Sequence, residues 1–343
     1  MNTSIGLEKH FLVVGYGSIG KRHVKNIREM YPDAVVSVLR HQDSLSEEIM
    51  CEAGISNCFT SLKSATDSKP LLAIIASPAT KHIDTAISMA ECGIHLLIEK
   101  PLSADLSSVD ILINICHKRG VCLMVGYNLR FLPSLQKFRM LLQGKVVGEI
   151  FSVRAEVGQN LQSWRPSLDY KESVSAKHAL GGGVLLELSH EIDYLLWLFQ
   201  SITAVTGIAV NVSNMEIDVE DCAHLILQFQ PLNNKEMYGT LSMDFVRLDP
   251  VRSCLVVGEK GSLRWDCLRG IVEQFQPEEN RWNQVYNENE EVADSYKSEL
   301  SHFVDCIQEK KAPSIGGEDG RRVLTVIDAI RRSSKTKCLC SVQ

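Results

Sequence analysis

Three groups of residues have types and spacings suited to chemistry. Gly15-Tyr16-Gly17-Ser18-Ile19-Gly20 follows the apolar run FLVV directly and opens a helical pattern, which would aim the amides of a helix N-terminus at a pyrophosphate. In such a turn Gly15 permits the tight bend, Gly17 leaves room for phosphate to approach the backbone, and Gly20 lets helix and strand pack closely. Alone, G-x-G-x-x-G is also an ordinary glycine turn; the strand before it and the helix after it give it weight. About twenty residues further on, where an acidic residue usually meets the adenosine ribose, the sequence reads Val38-Leu39-Arg40-His41. A carboxylate there repels a 2′-phosphate and a guanidinium pairs with one, so NADP(H) is favoured, with NAD(H) the alternative if Arg40 is a solvated surface residue.

The second group is Glu99-Lys100-Pro101, directly after the run HLLIE, where a parallel sheet places its ligands; a surface lysine is the alternative. The third begins at Gly181-Gly182-Gly183 and continues as VLLELSHEIDYLLWLF. In that segment Leu188, Ile192, Leu195, Leu196 and Phe199 form one apolar helical face, while Glu187, His190, Tyr194 and Trp197 recur along another. Read alone, His190 is more often a hydrogen-bonded packing residue than a catalyst. The polar stretch NLQSWRPSLDYKESVSAKHALGGG before it, with Trp164, Arg165, Tyr170, Lys171, Ser175 and Lys177, has the length of a binding loop. Its basic residues suggest an anionic substrate group, a carboxylate or the phosphates of a nucleotide sugar, against the alternative of a solvated loop.

The elements that must position these groups are legible as two grammars. From residue 11 to about 126, the runs FLVVG, VVSVL, LLAIIA, HLLIE and VCLMVG alternate with amphipathic segments that end at Gly54, Gly93 and Gly120. This predicts a doubly wound α/β domain with a parallel sheet over 1–126. Beyond it the pattern predicts a helix near 133–143, a strand near 150–157, a helix from about 183, and strands near 203–210, 222–229, 237–244, 251–257, 263–266 and 271–276. Connections such as QPLNNKE and GEKG are too short for helical crossovers, so 127–343 is expected to be an α+β domain with a large open, mostly antiparallel sheet. Two amphipathic segments near 295–309 and 318–333 close the chain and are expected to be able to pack back on the first domain.

Taken together, the G-x-G-x-x-G turn, the EKP tripeptide and the GGG…H-x-I-D helix make the chain resemble the Gfo/Idh/MocA family of oxidoreductases. The resemblance extends over nearly the whole length, through Gly126-Tyr127-Asn128-Leu129-Arg130-Phe131 to YKSELSHFVDCI and DGRRVLTVIDAIRRS. It implies a Rossmann domain joined to an open-sheet domain, an NAD or NADP cofactor, hydride exchange with a sugar, cyclitol or nucleotide-linked sugar, and a homodimer or homotetramer formed through the second sheet. It further implies that Lys100 lies between nicotinamide and substrate and that His190 exchanges a proton with the reacting hydroxyl, the principal acid-base group being either of the two. Cofactor contacts are expected at Gly15, Gly17, Ser18, Ile19, Gly20, Arg40, His41, Ser77, Pro78, Thr80, His82, Glu99, Lys100, Asn128, Trp164 and Arg165. Substrate contacts are expected at Arg130, Tyr170, Lys171, Ser175, Glu187, His190 and Tyr194. Many members carry Asp four residues before the histidine, whereas here Glu187 stands three before it; both spacings share a face of a continuous helix.

Composition limits the function classes. At 343 residues the chain suits two domains, and 36 basic against 42 acidic residues give a net charge of -6, which draws it to neither nucleic acid nor an anionic membrane. The first residues, MNTSIGLEKHFLVVG, hold an apolar run too short for a signal-peptide core, and no run is long enough to span a bilayer. Eleven cysteines without a repeated C-x-x-C fit reduced thiols in a cytoplasmic protein, and no metal site is expected. Two other functions share these motifs: a bound-cofactor epimerase or glycosidase without net redox change, and a cofactor-sensing regulator, against which Lys100 and His190 both argue.

Overall fold

The computed structural model describes residues 9–40, 44–164, 169–232, 235–287 and 291–343. They form two compact units: one runs to Gly126 and takes in Tyr296–Arg321, the other comprises Tyr127–Ser295 and Arg322–Gln343.

In the first unit, strands β1 (His10–Val14), β2 (Val35–Leu39), β3 (Asn57–Phe59), β4 (Leu72–Ile75), β5 (His95–Glu99) and β6 (Leu123–Gly126) make one parallel sheet in the order β3-β2-β1-β4-β5-β6. All five pairings are parallel, with Leu12 opposite Ser37 and Ala73, and Ile98 opposite Ile75 and Val125. Near-continuous apolar strands are what a sheet covered on both faces requires, and the central residues of β1, β4 and β5 are fully buried. Helices α1 (Ser18–Met30), α2 (Glu47–Ala53), α3 (Leu62–Asp67), α4 (His82–Glu91) and α5 (Val109–Arg119) make the crossovers. Gly54, Gly93 and Gly120 follow α2, α4 and α5 with φ of +67°, +78° and +66°, the left-handed stop anticipated from their positions. The unexpected strand is β3, whose three residues, Asn-Cys-Phe, are too short and polar to stand out. The free edge of β6 is met by Ile315 and Gly316, which pair with Val125 and Met124.

The second unit holds α6 (Pro133–Gln143), β7 (Ile150–Gly158), α7 (Val184–Glu187), α8 (His190–Phe199), β8 (Ile202–Val210), β9 (Cys222–Leu232), β10 (Lys235–Asp244), β11 (Val251–Gly258), β12 (Gly261–Asp266), β13 (Ile271–Gln276), β14 (Arg281–Asn287) and β15 (Cys340–Ser341). Its nine strands lie in the order β14-β13-β12-β11-β7-β10-β9-β8-β15, antiparallel except for β7 beside β10. Alternate residues of β10, Met237, Gly239, Leu241 and Met243, face inward, and in the same unit Tyr194 of α8 meets Trp265 of β12 edge to face while the Trp265 indole donates to Ser134 of α6 at 2.9 Å. Ile208, Ile226 and Tyr238 stand exposed on the opposite face. The single helix expected from about 183 is two helices: Leu188, at φ -101° and ψ 25°, leaves helical geometry, and α8 begins anew at His190. β14 and β15 were not foreseen, because RWNQVYN alternates only weakly and β15 is two residues long.

The closing helices are α9 (Val292–Glu309) and α10 (Gly317–Thr336), and the division between the units falls within both. Among the described residues no helix is long and apolar enough to cross a membrane.

Candidate functional site

In the first unit the carboxyl ends of β1, β4 and β5 lie side by side, and the loops leaving them carry most of the anticipated cofactor contacts. The turn after β1 is compressed against its neighbours. Gly15 has φ +92°, and a Cβ on it would lie 2.7 Å from the Ala76 carbonyl oxygen in the β4 loop. A Cβ on Gly20 would lie 2.0 Å from the Gly15 oxygen, so α1 can approach β1 only with glycine there. Gly17 differs from both: its φ is -77°, and nothing lies within 4 Å of the position a Cβ would take. The fold itself does not require glycine at this residue. Gly17 and Ser18 are exposed, Ile19 is half-buried, and among the described residues no side chain caps the first amides of α1. Open space over free amides at a helix N-terminus fits a dinucleotide pyrophosphate.

Arg40 is half-buried at the end of β2, with its backbone amide donating to Phe59 at 2.9 Å. The neighbouring His41 lies outside the described residues. In the β4 loop the buried Ser77 hydroxyl meets no hydrogen-bond partner among the described residues, Pro78 is half-buried, and Thr80 is exposed. Lys100 is half-buried and joined to Pro101 by a cis peptide bond.

Two anticipated cofactor contacts in this unit have other work. His82 is 1 % exposed, and both ring nitrogens face backbone carbonyls: Nε2 lies 2.7 Å from the Ser77 oxygen and Nδ1 3.0 Å from that of Pro101. Burial lowers its pKa against the opposing pull of these carbonyls and of Glu99. The Glu99 carboxylate meets the His23 Nε2 at 2.6 Å, beneath the surface of α1. His82 and Glu99 are therefore supports under the loops rather than groups offered to a ligand. His23 was missed, although a histidine three residues after Gly20, on the apolar stripe with Val24 and Ile27, is a legible sign of a buried polar partner.

In the second unit His190 opens α8, 7 % exposed, with its ring edge-on to Tyr127 at 5.6 Å. The Tyr127 hydroxyl donates to Ser189 at 3.4 Å, which ties the residue before His190 to the start of the unit. Glu187 ends α7 and accepts a hydrogen bond from the buried Ser175 hydroxyl at 3.0 Å. Because the helix breaks between them, Glu187 and His190 do not share the continuous face that their spacing implied.

Other anticipated contacts in this unit are spoken for. Arg130 forms a two-pronged pair with Asp193, at 2.9 Å through Nε and 2.6 Å through Nη2, with both side chains buried. Its guanidinium also lies over the Trp197 ring, so it ties the short turn before α6 to α8 through two contacts on that helix. Asp193 was passed over even though it closes the H-x-I-D motif. Tyr194 has 0 % exposure, packs on Trp265, and has no hydrogen-bond partner for its hydroxyl among the described residues; it is a core residue, and burial raises its pKa well above the ordinary value. Asn128 donates to Ser295 at 2.7 Å. Trp164 packs edge-on to Phe245, and Arg165 lies outside the described residues. Tyr170 accepts from the Glu216 amide, Lys171 pairs with the Glu216 carboxylate at 2.5 Å, and Lys177 pairs with Glu172.

Comparison with known proteins gives the same architecture. Two family models of Gfo/Idh/MocA oxidoreductases match the chain, the NAD-binding Rossmann fold over residues 9–127 and the C-terminal alpha/beta domain over residues 139–342. Myo-inositol 2-dehydrogenase of Thermotoga maritima is 24 % identical over 343 residues, covering 95 % of this chain and 96 % of the relative. D-xylose 1-dehydrogenase (NADP(+)) 2 of Haloferax volcanii is 22 % identical over 338 residues, covering 95 % and 97 %. Among solved structures, levoglucosan dehydrogenase in complex with NADH superposes with a TM-score of 0.86 at 20 % identity, covering 97 % of this chain and 99 % of that one.

Proposed function

Because the chain belongs to the Gfo/Idh/MocA oxidoreductase family, with an NAD-binding Rossmann domain, we propose that it exchanges hydride with a secondary alcohol of a neutral sugar or cyclitol, using NADP(H). The observation that carries this reading is the carboxyl edge of the first sheet, where the open approach to Gly17, the unpartnered Ser77 hydroxyl and Lys100 occupy adjacent loops. When bound there, the dinucleotide supplies hydride exchange with the carbinol carbon. The α1 amides and Ser77 hold it, and Arg40 is assigned to the 2′-phosphate.

The remaining chemistry concerns the alcohol oxygen, which must lose a proton as the carbon loses hydride. Imidazole titrates near neutrality, and His190 is assigned that exchange. The Lys100 ammonium is assigned to the charge that develops on the same oxygen. A neutral substrate is favoured over a sugar acid or nucleotide sugar because Lys171 and Lys177 are already matched by Glu216 and Glu172. Two of the described cations in the presumed anion-binding loop are thereby taken. Two of the relatives, a myo-inositol 2-dehydrogenase and an NADP(+)-dependent D-xylose 1-dehydrogenase, are named for neutral substrates. Self-association is assigned to the outer face of the second sheet around Ile208, Ile226 and Tyr238.

A panel of myo-inositol, D-xylose, levoglucosan, a hexuronic acid and a nucleotide sugar tests the reading by absorbance at the nicotinamide band. Turnover of a neutral member that is lost in Lys100→Ala is the expected result. Turnover confined to the charged members overturns the substrate class. Cofactor that copurifies and is never reduced or oxidised overturns the net redox reaction. Equal dissociation constants for NADPH and NADH, unchanged in Arg40→Ala, overturn the cofactor preference.

A further inference from the structure

Both nitrogens of the His82 ring face carbonyl oxygens from different loops, at 2.7 Å (Ser77) and 3.0 Å (Pro101). The two contacts are unequal in what they join. Ser77 lies five residues away, in the turn that leads into α4, so that bond closes a local loop. Pro101 lies nineteen residues away, on the loop after β5, and follows Lys100 directly. The ring is wedged between these loops at 1 % exposure, and no other side-chain bond to the Pro101 carbonyl is present among the described residues.

We propose that His82 is a positioning residue that straps the Lys100-Pro101 loop to the start of α4 and so fixes the Lys100 amine relative to the loops after β1 and β4. The proposal rests on the reading of Lys100 given above and adds a residue that touches neither substrate nor cofactor. Rigid attachment matters here because a displacement of about 1 Å at a reacting group can cost about 100-fold in rate. Lys100 has a long flexible side chain, so its placement depends on the backbone at its base. That backbone is held from below by Glu99 on His23 and from beside by His82 on Pro101.

Two substitutions separate the bonds. The amide nitrogen of Asn sits near the position of a histidine Nδ1, and that of Gln near Nε2. His82→Asn can therefore keep the donor to Pro101, and His82→Gln can keep only the one to Ser77. The readout is the reactivity of the Lys100 amine toward trace acetic anhydride, measured by peptide mass spectrometry in substrate-free protein, with the exposed Lys25 and Lys118 as internal standards. Lys100 labelling is expected to rise about fivefold in His82→Gln, the shift that losing one typical hydrogen bond produces, and to stay within about twofold of wild type in His82→Asn. Affinity for NADPH should hold in both, which also reports that they fold.

Equal labelling in both variants, or a rise only in His82→Asn, overturns the strap. If His82→Gln does not fold, His82→Asn decides alone: labelling raised as far as that of the denatured chain refutes the proposal, and wild-type labelling supports it. A Lys100→Ala protein that keeps full turnover overturns the role of Lys100 instead. The two failures are thus distinguishable.

Discussion

Gly17→Ala should separate binding from folding. The backbone there has φ -77° and ψ -166°, values open to alanine, and the added Cβ meets nothing within 4 Å. Replacing glycine by alanine at a helix N-cap costs roughly 0.5–1 kcal/mol, and stiffening the unfolded chain returns about 0.4–1 kcal/mol, so the net change in stability is close to zero. Binding responds differently, because the methyl group fills the space through which phosphate reaches the α1 amides. Two charge-assisted amide bonds at about 1.5–3 kcal/mol each are at stake, and losing half of that total, roughly 1.5–3 kcal/mol, raises Kd about 10- to 150-fold. Fluorescence titration with NADPH, alongside thermal melting of the free protein, measures both quantities. A Kd within about threefold of wild type, with an unchanged melting midpoint, would refute a pyrophosphate over Gly17.

Other substitutions test the parts separately. In Gly20→Ala the new Cβ begins 2.0 Å from the Gly15 oxygen, so stability should fall together with affinity, by about 3 kcal/mol or more in urea unfolding. Tyr194→Phe removes a buried hydroxyl that has no partner among the described residues; stability should hold or rise by up to about 1 kcal/mol and turnover should stay unchanged, whereas a raised KM would return Tyr194 to the substrate site. Asp193→Asn leaves the Arg130 guanidinium buried without its counter-charge and should cost about 3–5 kcal/mol by urea unfolding; a loss under about 1 kcal/mol would show that the pair does not anchor α8. For pH, burial places the folded pKa of His82 below its ordinary 6.5, so the folded chain binds fewer protons than the unfolded one as pH falls through 6.5. That contribution to stability is complete above 6.5 and is lost toward the folded pKa. His95 and His302 shift the same way in both proteins, so urea midpoints at about pH 7.5 and about pH 5.5 should converge between wild type and His82→Gln as acid is added, and a constant gap would refute the lowered pKa.

What could be read from the sequence and what could not divide along a physical line. Apolar runs, glycine stops and the glycine-rich turn are local signals, and the alternation of the first unit and the positions of most strands follow from them, whereas the order in which the strands pair does not. The break before α8 was missed because VLLELSHEIDYLLWLF keeps an unbroken apolar stripe, and only the geometry at Leu188 and Ser189 reveals two helices. The polar residues expected at ligands but found against interior neighbours share a different cause. Glu99, His82, Arg130 and Tyr194 are polar groups beside a motif, and beside a motif a polar group reads as a ligand contact. Each lies in the interior, where an unpaired charge or N–H is costly, and three of them therefore take an internal partner: His23 for Glu99, backbone carbonyls for His82, Asp193 for Arg130. Those partners stand 76, 19 and 63 residues away, a separation over which no local pattern operates. Gly17, with open space beside it, and Ser77, with a hydroxyl unpartnered among the described residues, lie instead in the loops that leave the strand ends. For these two residues it is the position in a loop at the carboxyl edge, rather than adjacency to a motif, that leaves room for a ligand, and that position arises from the sheet order that places β1, β4 and β5 together.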